Sequence, residues 1–412
     1  MKHYLIGYPL GYSYSPQIHK LFNLEIDYST KKLNEEEFDL FMKEKDFSGL
    51  NITIPYKEKV IKYLDEIDEL SKSIGAVNTV VNRNGKLIGY NTDFYGVLKT
   101  FEMHDIDIKD KVVMILGSGG TYKTCKYVCS YLQAKKIIGV SRTKKEGFIT
   151  YDEAEKEDID ILINATPVGT YPNFDKLIIN IDSFKNLKCI LDMIYNPFKT
   201  ELLIQGEYRK IKCINGLAPL IFQAGKAQEF FFDKQMSFHP YYYVYYMMEK
   251  ALSSIALIGM PGSGKSRIGK ALAKKLNYEF IDTDKEIEKM EKMKVSEIFE
   301  KYGEKYFREK EEELIESIAF KKNVVISTGG GMVENSIIMK YLKYNCHVIY
   351  LKRELDKKLF DGRRPKLKSK EDYLLLKEKR EPFYNKYANI FIDNNGKINN
   401  TLERILAELW KY

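Results

Sequence analysis

Two apolar segments of this chain run directly into glycine-rich loops, and this arrangement restricts the fold more than any other feature of the sequence. Val112–Leu116 leads into Gly117–Gly120, and Ile255–Ile258 leads into Gly259–Ser266, with a helix-like segment after each loop. Such a unit binds nucleotides because glycine lets the backbone approach phosphate and the helix N-terminus attracts negative charge. The two units are not repeats of one another. The sequence therefore predicts α/β architecture with largely parallel sheets and two nucleotide sites.

Composition and charge describe a globular chain with a mildly basic balance of charged residues. At about 100–200 residues per domain, 412 residues predict roughly two to four domains. The net charge of +8 is mildly basic, which indicates either a solvated surface or ligands such as phosphates and carboxylates. Nucleic-acid binding is not expected, because the lysines are spread along the chain and the 31 tyrosines follow no stacking-module pattern.

The cysteines and the N-terminal segment predict a cytoplasmic protein. The five cysteines are odd in number and form neither a C-x-x-C pair nor a His/Cys cluster, so free thiols in a reducing compartment are expected. The opening residues MKHYLIGYPLGYS lack the apolar core of a signal peptide. No apolar run of about 18 residues occurs, so no membrane span is expected.

The strand that follows the first glycine loop ends in a basic segment. Residues Gly139–Lys145 include Ser141, Arg142 and Thr143 but no Asp or Glu. An NAD site has an acidic residue at this point to accept hydrogen bonds from the ribose hydroxyls, whereas arginine suits a 2′-phosphate. The segment therefore favours NADP, with a solvated basic loop end as the alternative interpretation.

Polar residues occur in several short segments ahead of the first glycine loop. Two pairs of them stand two positions apart, so in extended backbone the members of each pair face the same way. Each segment alone would more often form a turn. Together, neutral donors with one lysine and one aspartate suit a polyhydroxylated anionic ligand. The set comprises Ser13, Ser15, Asn51, Thr53, Lys57, Asn78 and Asp93.

These segments resemble shikimate dehydrogenase, in order and across the whole first half of the chain. The likeness continues through Asn164–Gly169, Asp192–Pro197, Asn215–Leu217 and Gln223–Ala224. The resemblance implies an NADPH-dependent reduction of 3-dehydroshikimate to shikimate.

The resemblance also implies a role for each matched residue. Lys57 and Asp93 would be the catalytic pair beside the C3 oxygen, because an ammonium next to a carboxylate can supply the proton or the positive charge that a developing alkoxide needs. Which of them transfers the proton is left open, and a surface lysine with a helix-capping aspartate is the alternative. The substrate would contact Ser13, Ser15, Asn51, Thr53, Asn78, Tyr195 and Gln223, and NADP(H) would contact Gly117, Gly119, Gly120, Ser141, Arg142, Thr143, Thr166 and Gly216.

Two positions depart from the pattern of this family. Tyr122 stands in the glycine turn where the family has a small residue, and we expect it to change how the cofactor pyrophosphate lies. Ala218 and Pro219 stand where the family has Gly followed by Met or Leu, in the region expected to border the nicotinamide. Both departures concern cofactor affinity rather than reaction type.

The second glycine loop fits the motif G-x-x-x-x-G-K-S between a strand and a helix. Lys265 would reach the β and γ phosphate oxygens, and Ser266 would bind Mg²⁺. The motif predicts phosphoryl transfer from ATP or hydrolysis of a nucleoside triphosphate, without specifying an acceptor. The residues expected to contact phosphate are Gly259, Gly262, Ser263, Gly264, Lys265 and Ser266.

Motifs later in the chain concern the acceptor. Asp282 and Asp284 place two carboxylates at the end of the next strand. Arg308 and Glu311 are three apart on a helix, which taken alone slightly favours a surface ion pair. Gly329–Gly331 follows another strand, so bare backbone can approach a ligand there. Three basic residues complete the set: Arg363 and Arg364 in a lid-like loop, and Arg380.

This set resembles shikimate kinase over essentially all of residues 254–412. The resemblance implies that Arg308 and Arg380 clamp the shikimate carboxylate, since guanidinium groups pair with carboxylates in bidentate fashion. Asp284 would orient the 3-hydroxyl, and Asp282 would act on Mg²⁺ through water. The remaining implied positions are Gly330 and Gly331 at the acceptor, Arg364 over the transferring phosphoryl group, and Phe299 and Phe307 as an aromatic wall, with core packing as the alternative for the two rings.

One further departure lies near the end of the chain. The shikimate kinase family often has an arginine beside the adenine in its last loop, whereas this chain has Asp393–Gly396 there. Adenine contacts are therefore expected to be weaker or differently supplied.

Both resemblances together predict three domains. They are a substrate-binding domain of residues 1–101 with 220–250, a Rossmann NADP domain of residues 102–219, and a P-loop kinase domain of residues 254–412. Helices are expected at about 217–233 and 241–252, packing back on the first block, with a linker at about 251–254.

The predicted function is that of a bifunctional enzyme of the shikimate pathway that uses NADP(H), ATP and Mg²⁺. The product of the first reaction would be the acceptor of the second. Three alternatives remain: a silent sensor or scaffold that only binds these metabolites, an NAD-dependent quinate/shikimate dehydrogenase, and a kinase for another hydroxylated acid. Retention of Lys57, Asp93, Lys265 and Asp284 argues against the sensor. Small molecules are the expected partners, and the oligomeric state is left open.

Overall fold

The computed structural model describes residues 2–11, 13–354 and 369–409. Contacts divide the chain into two compact units. The first unit is Met1–Tyr195 with Gln205–Met248, and the second unit is Asn196–Ile204 with Glu249–Tyr412. Within the described ranges, no helix is both long enough and apolar enough to cross a membrane. The predicted α/β fold class is confirmed, since helices alternate with largely parallel sheets in both units.

The first unit opens with a mixed six-stranded sheet. Its strands are β1 Lys2–Gly7, β2 Asp27–Lys32, β3 Gly49–Ile52, β4 Glu66–Ile67, β5 Thr79–Arg83 and β6 Lys86–Tyr90. They are ordered β2-β1-β3-β5-β6-β4; β1 runs parallel to both of its neighbours, and β5 runs antiparallel to both of its own. The helices of this part are α1 Ser15–Phe22, α2 Glu35–Glu44, α3 Tyr56–Lys59, α4 Glu69–Ile74 and α5 Thr92–Met103.

A second, wholly parallel sheet follows in the same unit. Its strands are β7 Val112–Leu116, β8 Lys136–Val140, β9 Phe148–Ile149, β10 Ile161–Asn164, β11 Cys189–Asp192 and β12 Lys212–Ile214, in the order β12-β11-β10-β7-β8-β9. Every residue of β10 and β11 is buried, which explains their continuous apolar sequences, because strands covered on both faces need no polar alternation. The helices that follow in the chain are α6 Gly120–Tyr131, α7 Tyr151–Ala154 and α8 Glu201–Tyr208.

The register of this sheet brings the predicted cofactor residues to one edge. Leu116 at the end of β7 pairs with Val140 of β8 and with Asn164 of β10. The loops that begin at Gly117 and Ser141 and the segment at Thr166 therefore leave the sheet side by side, as in other open parallel sheets that bind ligands at the carboxyl ends of their strands.

Two late helices follow the second sheet, and the first of them packs on the first sheet. The predicted helix at 217–233 is α9 Leu217–Phe232, and the helix predicted at 241–252 is α10 Phe238–Leu252, which begins three residues earlier than expected. The Arg83 guanidinium on β5 donates hydrogen bonds to the carbonyls of Phe230 and Phe231 at the end of α9. The expectation that α9 packs on the first block is thus confirmed.

The second unit contains a parallel sheet of five strands. These are β13 Ser254–Ile258, β14 Glu279–Asp282, β15 Val324–Ser327, β16 Cys346–Lys352 and β17 Ile390–Asp393, in the order β14-β15-β13-β16-β17. The helices are α11 Lys265–Leu276, α12 Thr283–Glu291, α13 Val295–Ile318, α14 Ser336–Asn345, α15 Lys370–Tyr387 and α16 Ile398–Leu409. Apolar clusters cover both faces of β13: Ala256 and Ile258 pack into one and Ile255 and Leu257 into the other.

The short linker predicted at about 251–254 consists almost wholly of helix and strand residues. Helix α10 continues to Leu252 and β13 begins at Ser254, so only Ser253 lies between a helix and a strand. The Ser253 hydroxyl donates to the Glu249 carbonyl, which closes the last turn of α10. The proposed division of the first unit into residues 1–101 with 220–250 and residues 102–219 stays a prediction.

Candidate functional sites

All polar residues predicted to contact the substrate of the first unit line one cavity. Its volume is about 280 Å³, near the lower limit of about 300 Å³ for small-molecule sites. The cavity lies where the carboxyl ends of β1 and β3 meet α1, α5 and α9. Its lining includes Ser13, Ser15, Asn51, Thr53, Lys57, Asn78, Asp93, Tyr195, Gly216 and Gln223.

Lys57 and Asp93 form an ion pair inside this cavity. Lys57 Nζ lies 2.5 Å from Asp93 Oδ2, and the two side chains are 15% and 19% exposed. Asp93 belongs to the first turn of α5, where the helix dipole favours a negative charge. The side chain that caps α5 is Asn91, which accepts a hydrogen bond from the Phe94 N–H, so the capping interpretation of Asp93 is wrong. The pair therefore lies in the wall of the cavity with both side chains mostly buried.

A chain of neutral hydrogen bonds orients the amides of the cavity. The Thr92 backbone N–H donates to Asn78 Oδ1 at 2.7 Å, which determines which way that amide faces. Asn51 Nδ2 donates to Thr79 Oγ1 at 3.1 Å, and the buried Tyr28 hydroxyl donates to Asn51 Oδ1 at 2.8 Å. Tyr28 and Thr79 were not predicted. Burial raises the pKa of Tyr28 well above its ordinary value, so its hydroxyl remains a donor.

The two serines are close to each other, but not because they lie in extended backbone. Ser15 is the first residue of α1, with Pro16 next to it, as suits the first turn of a helix. The Ser13 hydroxyl donates to Ser15 Oγ at 3.1 Å, and the Ser15 N–H donates to Ser13 Oγ. The predicted extended geometry is therefore wrong, although both hydroxyls do line the same cavity.

The first glycine loop lies beside Lys57, one of the residues that line this cavity. Gly117 has φ +111°, a conformation that other residues rarely adopt, and a side chain there would contact Thr166. A Cβ on Gly120 would lie 3.3 Å from Lys57 Cδ, so the loop and the ion pair are neighbours. At the end of β8, Ser141 is buried whereas Arg142 and Thr143 are exposed. This glycine cradle with an exposed arginine at its edge fits a phosphorylated dinucleotide.

The second glycine loop has the backbone that a phosphate loop requires. Gly259, Gly262 and Gly264 all have positive φ, at +148°, +80° and +95°. Lys265 opens α11, and its ammonium donates to the carbonyl oxygens of Gly259 and Met260. Ser266 Oγ lies 3.3 Å from Ser327 Oγ at the end of β15. The loop therefore presents a lysine and a hydroxyl at the carboxyl edge of the second unit's sheet.

The carboxylates of Asp284 and Glu311 lie beside Gly329, the first residue of the triple glycine. Asp282 ends β14, and Asp284 lies in the first turn of α12. A Cβ on Gly329 would lie 2.8 Å from both Asp284 Oδ1 and Glu311 Oε1, so only glycine leaves room for both groups. Burial, followed by the Asp282 charge, raises the pKa of Asp284.

The pair of Arg308 and Glu311 is not a surface ion pair. Arg308 Nη1 lies 2.5 Å from Glu311 Oε2, and the Glu311 side chain is 1% exposed. Burial raises the pKa of Glu311 to about 7, against the opposing effect of Arg308. The surface interpretation of this pair is therefore wrong, because helix α13 turns Glu311 towards the glycines of the acceptor region.

Arg380 is also held by a glutamate. On α15, its side chain is almost fully buried, and Nε donates to Glu334 Oε1 at 2.7 Å. A Cβ on Gly330 would lie 3.5 Å from Arg380 Nη1. The Tyr384 hydroxyl donates to the Gly330 carbonyl at 3.1 Å. Glu334 was not predicted; it lies three positions after Gly331, but nothing in its spacing indicates a partner on α15.

The comparisons with known proteins concern both units. The chain is 40% identical over 248 residues to the NADP(+) shikimate dehydrogenase of Clostridium beijerinckii, which covers 56% of this chain and 92% of that protein. The chain belongs to the shikimate dehydrogenase family. The family model "Shikimate dehydrogenase substrate binding domain" matches residues 5–80, and the model "Shikimate kinase" matches residues 261–410. A shikimate dehydrogenase domain and a shikimate kinase domain are thus joined in one chain.

Solved structures similar to this chain match the shikimate dehydrogenase part. Shikimate dehydrogenase 1 from Peptoclostridium difficile is 36% identical, covers 60% of this chain and 98% of its own, and has a TM-score of 0.57. A chorismate mutase/shikimate 5-dehydrogenase fusion protein from Clostridium acetobutylicum is 31% identical, covers 61% of this chain and 98% of its own, and has a TM-score of 0.58. The likeness to that fusion extends over the dehydrogenase fold.

Of the two departures from the dehydrogenase pattern, one lies in the protein core and the other lines the cavity of the first unit. Tyr122 is buried in the core, with its ring 4.7 Å from that of Phe148 and its hydroxyl against Gly139. The expectation that Tyr122 disturbs the pyrophosphate is therefore wrong, because α6 turns its side chain towards β8 and β9. Pro219 does line the substrate cavity. It lies in the first turn of α9, where a missing N–H leaves no helical bond unmade.

Four residues predicted for the kinase domain are not placed at a ligand site by the described structure. Arg364 and its neighbour Arg363 lie outside the described residues. Phe307 is buried and Phe299 packs against the same core cluster, with ring centroids 4.9 Å apart. Both phenylalanines therefore act in core packing, and their place in an acceptor wall stays a prediction.

Proposed function

We propose that this chain reduces 3-dehydroshikimate to shikimate with NADPH and then phosphorylates shikimate to shikimate 3-phosphate with ATP. The observation that carries the first reaction is the Lys57–Asp93 ion pair in a cavity lined by every residue expected to contact the substrate. The second reaction is supported by the phosphate loop and by two arginine–glutamate pairs beside the triple glycine, each with one buried partner.

The reduction needs one hydride and one proton. When bound, NADPH would supply the hydride that the C3 carbonyl carbon accepts. The carbonyl oxygen then gains negative charge, which the Lys57 ammonium stabilises, and a proton from the Lys57–Asp93 pair completes the 3-hydroxyl. The hydroxyls of Ser13 and Ser15 would bind the carboxylate, and the oriented amides of Asn51 and Asn78 would hold ring hydroxyls.

The choice of NADP rests on the exposed end of β8. Arg142 is free to approach a 2′-phosphate, and no acidic residue is present between Gly139 and Lys145 to bind the ribose hydroxyls. We expect Arg142→Ala to raise the KM for NADPH about tenfold, as loss of a charge-assisted contact does, and to leave the KM for NADH unchanged. Steady-state rates with both cofactors measure this. Lys176→Ala, an exposed lysine in the same unit, is the matched control.

The phosphorylation would proceed by positioning and charge stabilisation. Asp284 would accept a hydrogen bond from the 3-hydroxyl of shikimate and then its proton. The hydroxyl oxygen would bond to the γ-phosphorus of ATP as the bond from that phosphorus to ADP breaks. Lys265 would stabilise charge on the phosphate oxygens. The described residues contain no cluster of three acidic, His or Cys side chains that could hold a metal by itself. This agrees with Mg²⁺ bound mainly by phosphates, with Ser266 and, through water, Asp282.

One incubation tests both reactions. The purified chain is mixed with 3-dehydroshikimate, NADPH, ATP and Mg²⁺, and the products are quantified by mass spectrometry. We expect shikimate 3-phosphate to accumulate. Lys57→Ala should stop the reduction and leave phosphorylation of added shikimate intact, and Lys265→Ala should do the reverse.

Other outcomes of this incubation would favour one of the alternative functions or contradict one of the two reactions. Shikimate without its phosphate ester would contradict the kinase reaction alone. Binding of both metabolites by the wild-type chain with no product would support the sensor alternative instead. Reduction with NADH in preference to NADPH would favour the quinate/shikimate alternative.

A further inference from the structure

The loop after β17 lies against the phosphate loop of the second unit. Asn394 in this loop is buried, and its Nδ2 donates to the Ser263 carbonyl at 2.7 Å. A Cβ on Gly264 would lie 2.6 Å from the same nitrogen. Gly264 is therefore needed for two reasons: its φ of +95° and the close approach of Asn394.

The orientation of the Asn394 amide follows from its partners. A carbonyl oxygen only accepts hydrogen bonds, so the nitrogen end of the amide must face Ser263. The oxygen end then faces Thr401 on α16, whose buried hydroxyl donates to Asn394 Oδ1 at 2.8 Å. Thr401 thus holds the amide from the side opposite the phosphate loop.

The backbone of the Asn394 loop is itself anchored. The Asn394 N–H donates to the Lys352 carbonyl at the end of β16, at 2.7 Å. The Asn395 N–H donates to Asp393 Oδ1, and the Glu354 N–H donates to Asn395 Oδ1, both at 2.8 Å. These bonds tie the loop to two strands of the sheet, so the Asn394 side chain starts from a fixed position.

We propose that Asn394, supported by Thr401, is a positioning residue for the phosphate loop. A peptide group is planar and trans, so the Ser263 carbonyl and the Gly264 N–H point in opposite directions. Because Asn394 holds the Ser263 carbonyl, the Gly264 N–H points away from Asn394. An N–H group of a glycine loop needs such a direction to bind a phosphate oxygen. This inference rests on the proposed kinase function, which it deepens by adding a residue that controls nucleotide affinity.

Four variants of the full chain test this role. Asn394→Asp keeps the shape of the side chain but replaces the donor by an acceptor. Thr401→Val removes the supporting hydroxyl, and Thr401→Ser restores it. Asn400→Asp, an exposed asparagine on the same helix as Thr401, is the matched control. The readouts are the dissociation constant of ADP with Mg²⁺ by calorimetry, the separate KM values for ATP and shikimate, and the rate of 3-dehydroshikimate reduction.

For Asn394→Asp we expect ADP binding about tenfold weaker and a similar rise in the KM for ATP, since the Ser263 carbonyl loses its donor and meets a negatively charged carboxylate oxygen. The KM for shikimate and the reduction rate should stay within about twofold of wild type, since the other contacts of both sites are intact. Thr401→Val should show a smaller effect of the same kind, and Thr401→Ser should resemble wild type.

Two results would overturn the positioning role. One is ADP binding by Asn394→Asp that equals wild type. The other is an equal rise in the KM values for ATP and shikimate together with loss of thermal stability, which would indicate a general structural role. A wild-type chain that binds ADP without phosphorylating shikimate would overturn the kinase proposal alone, because ADP titration of the variants still decides the role of Asn394.

Discussion

The dehydrogenase cavity and the kinase acceptor region hold their polar groups by different means. In the cavity, amides and hydroxyls orient one another through neutral hydrogen bonds, from Thr92 to Asn78 and from Tyr28 to Asn51. Beside Gly329–Gly331, where shikimate is proposed to bind as the acceptor, Arg308 is held by Glu304 and Glu311, and Arg380 is held by Glu334. Burying a neutral group costs less free energy than burying a charge, and a buried charge is tolerated only when a partner of opposite charge is also present.

The difference bears on how each site should respond to change. A neutral network has no titrating member near neutral pH, so removing one bond should cost little and pH should matter little. A buried glutamate that holds an arginine leaves an uncompensated charge when it is lost, and it titrates. We therefore expect single substitutions and pH to affect the acceptor region more than the amide network of the cavity.

The largest effect should follow from removing the one ion pair at the centre of the cavity. Asp93→Asn keeps the shape of the side chain but removes the charge and the exchangeable proton. We expect the kcat for reduction to fall about 10²–10⁴-fold, the range for loss of general acid–base catalysis, with the kinase rate unchanged.

Asp152→Asn is the matched control, because Asp152 also lies in the first turn of a helix but is exposed. A loss below tenfold would mean that Asp93 only supports the fold.

The second-largest effect should follow from removing the carboxylate of Glu334, which pairs with Arg380. Glu334→Ala leaves the buried Arg380 without its partner, so the arginine should leave the position in which it meets a carboxylate. We expect the KM for shikimate to rise about 10–100-fold, in line with truncation of a buried charge pair, while the KM for ATP changes little. Glu316→Ala removes a glutamate that bonds only the exposed face of α14, through Tyr341, and serves as the control. An unchanged KM for shikimate would contradict a role for Arg380 in acceptor binding.

The third effect concerns pH. The pKa of Glu311 in the folded chain is about 7, above its ordinary value of 4.5, so folding binds the proton more tightly. Stability from this proton is complete below about pH 4.5 and is lost as pH rises through about 7. In Glu311→Gln the unfolding free energy of the kinase domain should therefore fall less between pH 5 and pH 8 than in wild type. Chemical denaturation of the full chain at several pH values measures this.

Activity should show the opposite sign of pH dependence in the kinase. The Glu311 carboxylate must be ionised to hold Arg308, and Asp284, whose pKa is also raised by burial, must be ionised to accept the hydroxyl. The kcat/KM for shikimate should fall as pH drops below about 7. A profile that is flat between pH 6 and 8 would show that neither carboxylate titrates in the working enzyme.

The smallest effect should be found in the neutral network. Tyr28→Phe removes only the hydroxyl that donates to Asn51. We expect the KM for 3-dehydroshikimate to rise about fivefold, as loss of one neutral hydrogen bond of about 1 kcal/mol predicts, with kcat nearly constant. Tyr63→Phe, which removes a hydroxyl that bonds Asp39 on α2, is the control. A loss as large as that of Glu334→Ala would erase the contrast between the two regions.

Much of the fold and of the candidate sites follows from local sequence. Both glycine loops, the strands that lead into them and the helix at 217–232 could be predicted because each depends on neighbouring residues. Lys57 and Asp93 could be predicted as a pair only from the resemblance, since they are 36 positions apart. The helix start at Ser15, where extended backbone was expected, could not be predicted, because Pro16 is as compatible with a helix start as with a turn.

What the sequence by itself determined is therefore the α/β class, the two nucleotide loops and the set of polar residues around the first cavity. Only the tertiary structure decided which side chains hold these groups in place. Tyr28 reaches Asn51 over 23 positions, Glu334 reaches Arg380 over 46, and Asn394 reaches Ser263 over 131. Such contacts depend on strand order and helix packing, which no local spacing encodes. The same reason explains why Tyr122 proved to be a core residue and Glu311 a buried carboxylate.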